Sequence, residues 1–208
     1  RVNLSKESPV MELPTSIRLT CCTSGKEEIA AIETLNREVA KLRIDSEWWS
    51  NLGNTIRNPR SEPDSEWRWR QIVSTYQNKP NYLAKCIKTT DGLIQAAVVY
   101  RVDAMSAIEP AQRAVFVEWL ASAPKNREIL MKTPRYRGAG TGLLLFAIAQ
   151  SYFLGFSGRV NLNAVANIEY YLGQGFIQTN IGDDDNVVFE IPASTAIRRL
   201  KERGLIDG

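Results

Sequence analysis

The chain has 208 residues, of which 44% are hydrophobic and 24% are charged. This is enough apolar material for one core and predicts a single domain over residues 1–208. Its 26 basic and 23 acidic residues give a net charge of +3, which excludes a protein that binds nucleic acid or membranes through bulk positive charge. Histidine, the commonest metal ligand and general base, is absent, so we expect no catalytic metal.

The three cysteines, Cys21, Cys22 and Cys86, contain no C-x-x-C pair. This pattern is typical of a reducing compartment and not of a disulfide framework. The most apolar run, residues 143–156, is too short to cross a bilayer. The first 30 residues contain no apolar stretch typical of a secretory signal. We therefore expect a cytoplasmic protein with no membrane partner.

The first predicted elements are a strand and a helix. Residues 16–22 alternate apolar and polar side chains, which predicts a short strand. Ser24 and Glu27 then have the spacing of a capping box. Apolar residues recur after it at helical spacing and predict a helix that ends near Arg43; they are Ile29, Ile32, Leu35, Val39 and Leu42.

In residues 45–81 the sequence pattern predicts secondary structure least clearly. They contain Trp48, Trp49, Trp67 and Trp69, which we interpret as core or interface residues. The second part of this region, residues 64–76, is compatible with a helix that is capped by the Asp64 side chain.

The central part of the chain predicts three strands. Residues 82–88 and 93–102 are rich in β-forming side chains and flank Asp91-Gly92, a strong hairpin signal. Residues 113–122 follow as a third strand. Its nearly continuous apolar character indicates that it is buried on both faces, near the centre of the sheet.

The last part of the chain alternates helices and strands. An apolar helix ends near Phe153, and a final helix spans residues 194–204, where Gly204 provides a stop. Between them we predict a strand at 159–164, a short helix at 167–172, and a closing pair at 176–180 and 186–191 that is joined by a turn at 182–185.

A glycine-rich turn carries the chemical signal. The sequence from Arg135 to Gly142 is R-Y-R-G-A-G-T-G. Glycines at alternate positions let backbone amides face one concavity, and the helix that follows adds the positive end of its dipole, so the turn predicts an anion site. Five basic residues surround it against Glu128 alone; they are Lys125, Arg127, Lys132, Arg135 and Arg137. The P-loop and dinucleotide patterns do not fit, because no lysine follows the glycines and Leu143 occupies the last dinucleotide position.

These residues resemble the signature of the GNAT superfamily of N-acetyltransferases, Q/R-x-x-G-x-G/A, at every position of Arg135–Gly140. Residues 120–124, L-A-S-A-P, resemble the end of the family's preceding strand, and residues 171–176, Y-L-G-Q-G-F, resemble its Y-x-x-x-G-F. The predicted order of elements is also similar to that of the family. Two departures are an insertion at 125–134, which bears on the acceptor side, and a short helix before Tyr171.

The resemblance implies an α/β (α+β) fold. Its sheet would be mixed, mostly antiparallel and of about six or seven strands, with helices on its faces and a splay between the fourth and fifth strands. Acetyl-CoA would lie in this splay and pair with backbone groups of Leu120 and Ser122. Its pyrophosphate would bind the turn; the residues expected there are Arg135, Arg137, Gly138, Ala139, Gly140, Thr141 and Gly142. Asn126 and Arg127 are candidates for lining the cleft.

Two residues are candidates for catalysis. By resemblance, Tyr171 would protonate the departing CoA thiolate or hold its sulfur by a hydrogen bond, unless a shift by one residue makes Tyr170 the match. Glu118 is a lone acid in an apolar strand, and the chain has no histidine to act as the base. In an unbulged strand, Glu118 shares a face with Phe116 and Leu120. A β-bulge would turn it away and leave an ordered water as the base, and an arginine such as Arg101 or Arg113 could pair with it instead.

The resemblance implies an acetyl-CoA-dependent N-acetyltransferase in which a primary amine attacks the thioester directly in a ternary complex. The acceptor would be a small molecule, a peptide or protein, or an aminoacyl-tRNA. The alternative is a non-catalytic acyl-CoA-binding module of the same fold that acts as a sensor or scaffold. The sequence is compatible with a homodimer.

Overall fold

The computed structural model describes residues 12–50, 52, 62–164, 166–182 and 187–207. The strands within these ranges are β1 (Ser16–Cys21), β2 (Glu27–Thr34), β3 (Tyr82–Lys88), β4 (Ile94–Met105), β5 (Arg113–Ser122), β6 (Tyr136–Arg137), β7 (Val160–Asn163), β8 (Ile177–Gln178) and β9 (Val188–Ile191). The helices are α1 (Arg37–Val39), which continues as a π-helical segment (Ala40–Asp45), α2 (Trp69–Tyr76), α3 (Ala139–Phe153), α4 (Ile168–Gly173) and α5 (Ala193–Glu202).

The fold is α+β, as predicted. In the described residues, nine strands form one sheet in the order β6-β1-β2-β3-β4-β5-β7-β9-β8. Neighbouring strands are antiparallel except β5 and β7, which run parallel. The expected six or seven strands become nine because β2 and the short β6 also join the sheet.

The sheet is buried on both faces. In β4, successive side chains pack alternately into the hydrophobic clusters on the two faces. Ala96, Val98 and Tyr100 pack into the cluster that contains α3. Ala97 and Val99 pack into the cluster that contains α2 and the π-helical segment. Two helical layers therefore cover the central strands, which explains their continuous apolar sequence.

The helix predicted after Ser24 is wrong, because residues 27–34 form strand β2. The Ser24-Gly25 turn closes a hairpin instead, with Gly25 at φ +68° and Ser16 to Thr20 paired with Ala31 to Glu27. The helix begins only after Asn36, whose Oδ1 accepts a hydrogen bond of 2.9 Å from the Val39 amide.

The predicted capping role of Asp64 is also wrong. Helix α2 begins at Trp69, and its first amides donate to the carboxylate of Asp45: Trp69 N to Oδ1 at 2.7 Å and Arg70 N to Oδ2 at 3.1 Å. A side chain far away in sequence therefore caps this helix, and Asp64 is available for another contact.

The remaining predicted elements are confirmed within a few residues. Strands β3 and β4 form the expected antiparallel hairpin with Gly92 at φ +81°. The expected order of α3, β7, α4, β8, β9 and α5 is present. Most of the turn predicted at 182–185 lies outside the described residues. Among the helices that the structure describes, none is long and apolar enough to span a membrane.

Candidate active site

The candidate site is the gap where β5 and β7 separate. Their pairing runs from Val115–Val160 to Val117–Leu162, and β5 continues to Ser122 beyond it. A cavity of about 600 Å³ opens there, with the end of β5 on one side and α4 with the end of β7 on the other. The predicted residues that line it together are Glu118, Leu120, Ser122, Gly140, Tyr171 and Arg127.

A β-bulge in β5 lies at Glu118. Val99 of β4 is opposite Trp119 and Tyr100 is opposite Val117, so Glu118 is the extra residue. The bulge reverses the alternation of the strand: Val117 and Leu120 both belong to the α3 side of the core. Of the two alternatives left open by the sequence, the structure therefore has the bulged strand, in which Glu118 and Leu120 do not share a face. Glu118 nevertheless lines the cavity.

Burial and neighbouring groups have opposite effects on the pKa of the Glu118 carboxylate. Its Oε1 lies 3.0 Å from Nε of Arg101, and 23% of its side chain is exposed. Burial raises the pKa of Glu118, while the charge of Arg101 and a hydrogen bond from Tyr82 lower it. The net pKa lies above the ordinary value, so this carboxylate is a stronger base than an exposed glutamate.

The backbone of β5 faces the gap at the predicted positions. The Ala123 amide donates to the Gln95 carbonyl beside β4 at 2.9 Å. Since successive residues of a strand present their backbone groups to opposite edges, the groups of Ser122 and Leu120 face the gap. The Ser122 carbonyl is already engaged, because Arg127 donates to it from Nε at 3.0 Å and from Nη2 at 2.6 Å.

The glycine turn presents a short run of amides at the start of α3. Gly138 is the N-cap at φ +96°, a left-handed conformation that favours glycine. The amides of Ala139, Gly140 and Thr141 are the first three of the helix, and such amides have no partner within it. The Gly142 amide, in contrast, donates to the Gly138 carbonyl at 2.8 Å, so it is not available to a ligand as we expected.

The two tyrosines of α4 occupy different places. The Tyr170 hydroxyl lies 3.1 Å from Thr141 Oγ1, at the glycine turn, whereas no such bond joins Tyr171 to the turn in the described residues. Both line the cavity. Burial and the neighbouring Tyr170 raise the pKa of Tyr171 to about 12, so its hydroxyl stays protonated at neutral pH and can donate a hydrogen bond.

Comparison with known proteins identifies the fold. No family model matches the sequence, and no curated protein does. The GNAT domain of S. lividans PAT superposes with a TM-score of 0.55 at 16% identity, over 86% of this chain and 98% of that domain. Apo FdhC, a nucleotide-linked sugar GNAT, superposes with a TM-score of 0.54 at 12% identity, over 93% and 98% of the two chains. AtaTR bound with AcCoA superposes with a TM-score of 0.50 at 14% identity, over 82% and 98%.

The chain has the GNAT fold.

The three arginines near the glycine turn, Arg127, Arg135 and Arg137, are all paired with carboxylates. Arg135 Nη2 lies 2.5 Å from Asp91 Oδ2. Arg137 Nη2 lies 2.7 Å from Glu128 Oε1 in a largely exposed pair. The positive charge of these arginines is thus neutralised by carboxylates, and among them Arg137 is the most exposed and can exchange its partner for a phosphate.

Arg127 is buried in a network that sequence reasoning missed. Its guanidinium contacts the carboxylates of Glu62 (2.9 Å) and Asp64, and it stacks over Trp49 with 5.4 Å to the ring centroid. Desolvation lowers the pKa of Arg127, but the hydrogen bonds that its guanidinium donates to the Asp64 and Glu62 carboxylates raise it above the ordinary value. No local pattern signals this network, because its partners lie more than 60 residues away.

The network builds one wall of the cavity of this GNAT fold. The cavity is lined by three residues of the 45–81 region, Glu62, Asp64 and Trp67. Ile129, from the insertion at 125–134, also lines it. Asn126 does not: its amide donates to Gln95 and its Oδ1 accepts from the Tyr136 amide at 3.0 Å. Among the described residues, no three acidic or cysteine side chains cluster as a metal site.

Proposed function

We propose that the chain is an acetyl-CoA-dependent N-acetyltransferase that acylates a primary amine in a ternary complex. One observation carries the proposal: the splay of β5 from β7 opens a cavity that connects a carboxylate, a protonated tyrosine and the amide turn of α3. The structural neighbours are GNAT acetyltransferases, one of them bound with AcCoA, which supports the same activity and cosubstrate.

In this proposal Glu118 acts as the general base. An amine is protonated near neutral pH and cannot attack a thioester until one proton is removed. The Glu118 carboxylate takes this proton, directly or through a water, and the neutral nitrogen then forms a bond to the thioester carbon. The raised pKa of Glu118 favours this role, because a base is most effective when its pKa approaches the working pH.

In this proposal Tyr171 stabilises the leaving group, the CoA thiolate. When the tetrahedral intermediate collapses, the carbon–sulfur bond breaks and the sulfur departs as a thiolate. The amide nitrogen loses its second proton, which ends on the sulfur or in solvent. Because the pKa of Tyr171 is about 12, above the ~8.5 of an ordinary thiol, its hydroxyl stabilises the thiolate by donating a hydrogen bond more readily than by giving up its proton.

The pantetheine arm extends along β5 in this scheme and adds to the sheet at the backbone groups of Leu120 and Ser122. The pyrophosphate binds the amides of Ala139 to Thr141. The acceptor enters from the wall formed by Glu62, Asp64 and Trp67, and it is a small molecule, a peptide or protein, or an aminoacyl-tRNA.

The direct test is transfer itself. The protein is incubated with isotopically labelled acetyl-CoA and a panel of amines from the three acceptor classes, and the products are read by mass spectrometry. We expect one labelled acetyl group on an amine and the release of free CoA. Failure of every class to gain label, with acetyl-CoA bound, would contradict the catalytic proposal.

A second candidate function rests on the Arg101 ion pair. A buried carboxylate held 3.0 Å from a guanidinium is a weaker base than the same buried carboxylate without that partner, although the net pKa of Glu118 still lies above the ordinary value. This favours a non-catalytic acyl-CoA-binding module that senses or scaffolds. The same experiment separates the two functions, because a module binds acetyl-CoA and leaves every amine unlabelled.

A further inference from the structure

We infer that arginines at the end of α5 bind the 3′-phosphate of CoA. This rests on the proposed function, because it presupposes that an acyl-CoA occupies the gap between β5 and β7. The site is a second cavity of about 370 Å³, outside the first one, between the start of α3, the end of α4 and the exposed side of α5. It is lined by Arg198, Arg199 and Arg203 against the single carboxylate of Glu202.

This arginine cavity adjoins the glycine turn. Thr141 lines it, and the Thr141 amide is one of the three at the start of α3 that have no partner within the helix. Thr141 Oγ1 lies 3.1 Å from the Tyr170 hydroxyl, and Tyr170 lines the first cavity. A ligand whose pyrophosphate rests on the turn therefore has its next part beside α5. In CoA that part is a ribose that carries a 3′-phosphate.

The packing of α5 fixes where the arginines lie. Ala196 and Leu200 are fully buried in the core beside α3, which turns the opposite side of the helix toward the cavity. Gly175 at φ +84° lets the first turn of α5 approach closely, since a Cβ there would lie 2.7 Å from Thr195 Cγ2. Arg199 donates from Nη2 to Gln174 Oε1 at 2.7 Å and so joins α5 to the end of α4.

The charge of this cavity suits a second phosphate. Near the turn, Arg127 and Arg135 are committed to carboxylates, which leaves Arg137, in its exposed pair with Glu128, for the pyrophosphate. On α5, Arg198 has only an exposed pair with Glu202 at 3.3 Å, and Arg203 has no carboxylate within ion-pairing distance among the described residues. The guanidinium groups of Arg198 and Arg203, with that of Arg199 held on Gln174 beside them, match a phosphate dianion, which they bind through charge-assisted hydrogen bonds.

The experiment compares two ligands that differ only in the 3′-phosphate. Calorimetry gives the Kd of CoA and of 3′-dephospho-CoA for the wild type, for the double variant R198Q/R203Q and for the control R43Q. Arg43 is a matched control because it also pairs with a glutamate four residues later, at 3.0 Å, on another surface. Both α5 side chains are exposed, and circular dichroism and thermal melting verify that each variant is folded.

We expect the wild type and R43Q to bind CoA about tenfold or more tightly than dephospho-CoA, the effect of at least one charge-assisted hydrogen bond. R198Q/R203Q should lose this preference and bind dephospho-CoA as the wild type does. Equal binding of the two ligands by the wild type, or a preference that survives in the double variant, overturns the inference while the proposed function stands. If the wild type binds neither ligand, the proposed function fails and the inference falls with it.

Discussion

The Glu118 carboxylate and the Arg101 guanidinium form an ion pair of 3.0 Å, from Oε1 to Nε, at the edge of the cavity between β5 and β7. The charge of Arg101 opposes the effect of burial on the pKa of Glu118. The pair therefore holds the pKa of the proposed base below the value that burial alone would give it.

The first prediction concerns Glu118 itself. E118Q should lower kcat by about a hundredfold or more, the usual size of a general-base contribution, and leave acetyl-CoA affinity within a few-fold. The acid limb of the kcat/KM profile should flatten, because the group that must lose its proton is gone. The control E33Q removes a carboxylate from an ion pair of 2.6 Å with Lys88 elsewhere on the sheet, and its profile should match the wild type. An unchanged profile in E118Q rejects Glu118 as the base.

The second prediction concerns Arg101. R101Q removes the positive charge that stabilises the ionised form of Glu118, so the pKa of Glu118 should rise further and the acid limb of kcat/KM should move to higher pH, by about one unit or less at this partly exposed site. K88Q provides the control, because Lys88 neutralises Glu33 and not Glu118. A limb that stays in place, or moves to lower pH, contradicts the link between Arg101 and the base.

The third prediction separates the two tyrosines of α4. Y171F should lower kcat by roughly ten- to a thousandfold through loss of the hydrogen bond to the departing sulfur, with CoA binding nearly intact. Y170F removes a hydroxyl that contacts Thr141 and should weaken CoA binding with a smaller effect on kcat. Steady-state kinetics and calorimetry on both variants test this assignment, and wild-type turnover in Y171F removes that residue from the mechanism.

The fourth prediction concerns stability at Gly175. G175A should lower the free energy of unfolding by about 1–2 kcal/mol, because alanine is strained in the left-handed conformation. The steric contact between the added Cβ and Thr195 Cγ2 should lower the free energy of unfolding further. G155A isolates the conformational part, since Gly155 is at φ +81° with no atom within 4 Å of its added Cβ. Chemical denaturation of G175A in the wild-type and T195S backgrounds separates the two parts. An equal loss in both backgrounds would remove the steric contribution.

The sheet and the glycine turn could be predicted from the sequence because their signals are local. Asp91-Gly92 fixes the β3–β4 hairpin, and the apolar run of 113–122 fixes a central strand. Residues 27–35 misled the prediction, since Ile29, Ile32 and Leu35 fit a helix while pairing with β1 and β3 holds residues 27–34 in a strand. Tertiary pairing overrode the local pattern.

The walls of the site could not be predicted, because contacts between distant residues build them. Asp64 was expected to cap a helix, yet it binds Arg127, and Asp45 caps that helix instead. The bulge at Glu118 depends on the register between β4 and β5, which the sequence of one strand does not contain. The pairing of the basic residues with Asp91 and Glu128 likewise appears only in three dimensions.

The measurement that tests the central claim most directly is acetyl-CoA binding by calorimetry to the wild type, G140D and G25D. G140D places a carboxylate at the amide turn, where an added Cβ lies 2.9 Å from Ser122 Oγ and 3.5 Å from the Tyr170 hydroxyl. G25D makes the same substitution in the β1–β2 turn, with no atom within 4 Å of the added Cβ. We predict one bound acetyl-CoA for the wild type and G25D, and no binding by G140D, with all three folded by circular dichroism. Undiminished binding by G140D, or no binding by the wild type, would contradict the assignment of this site.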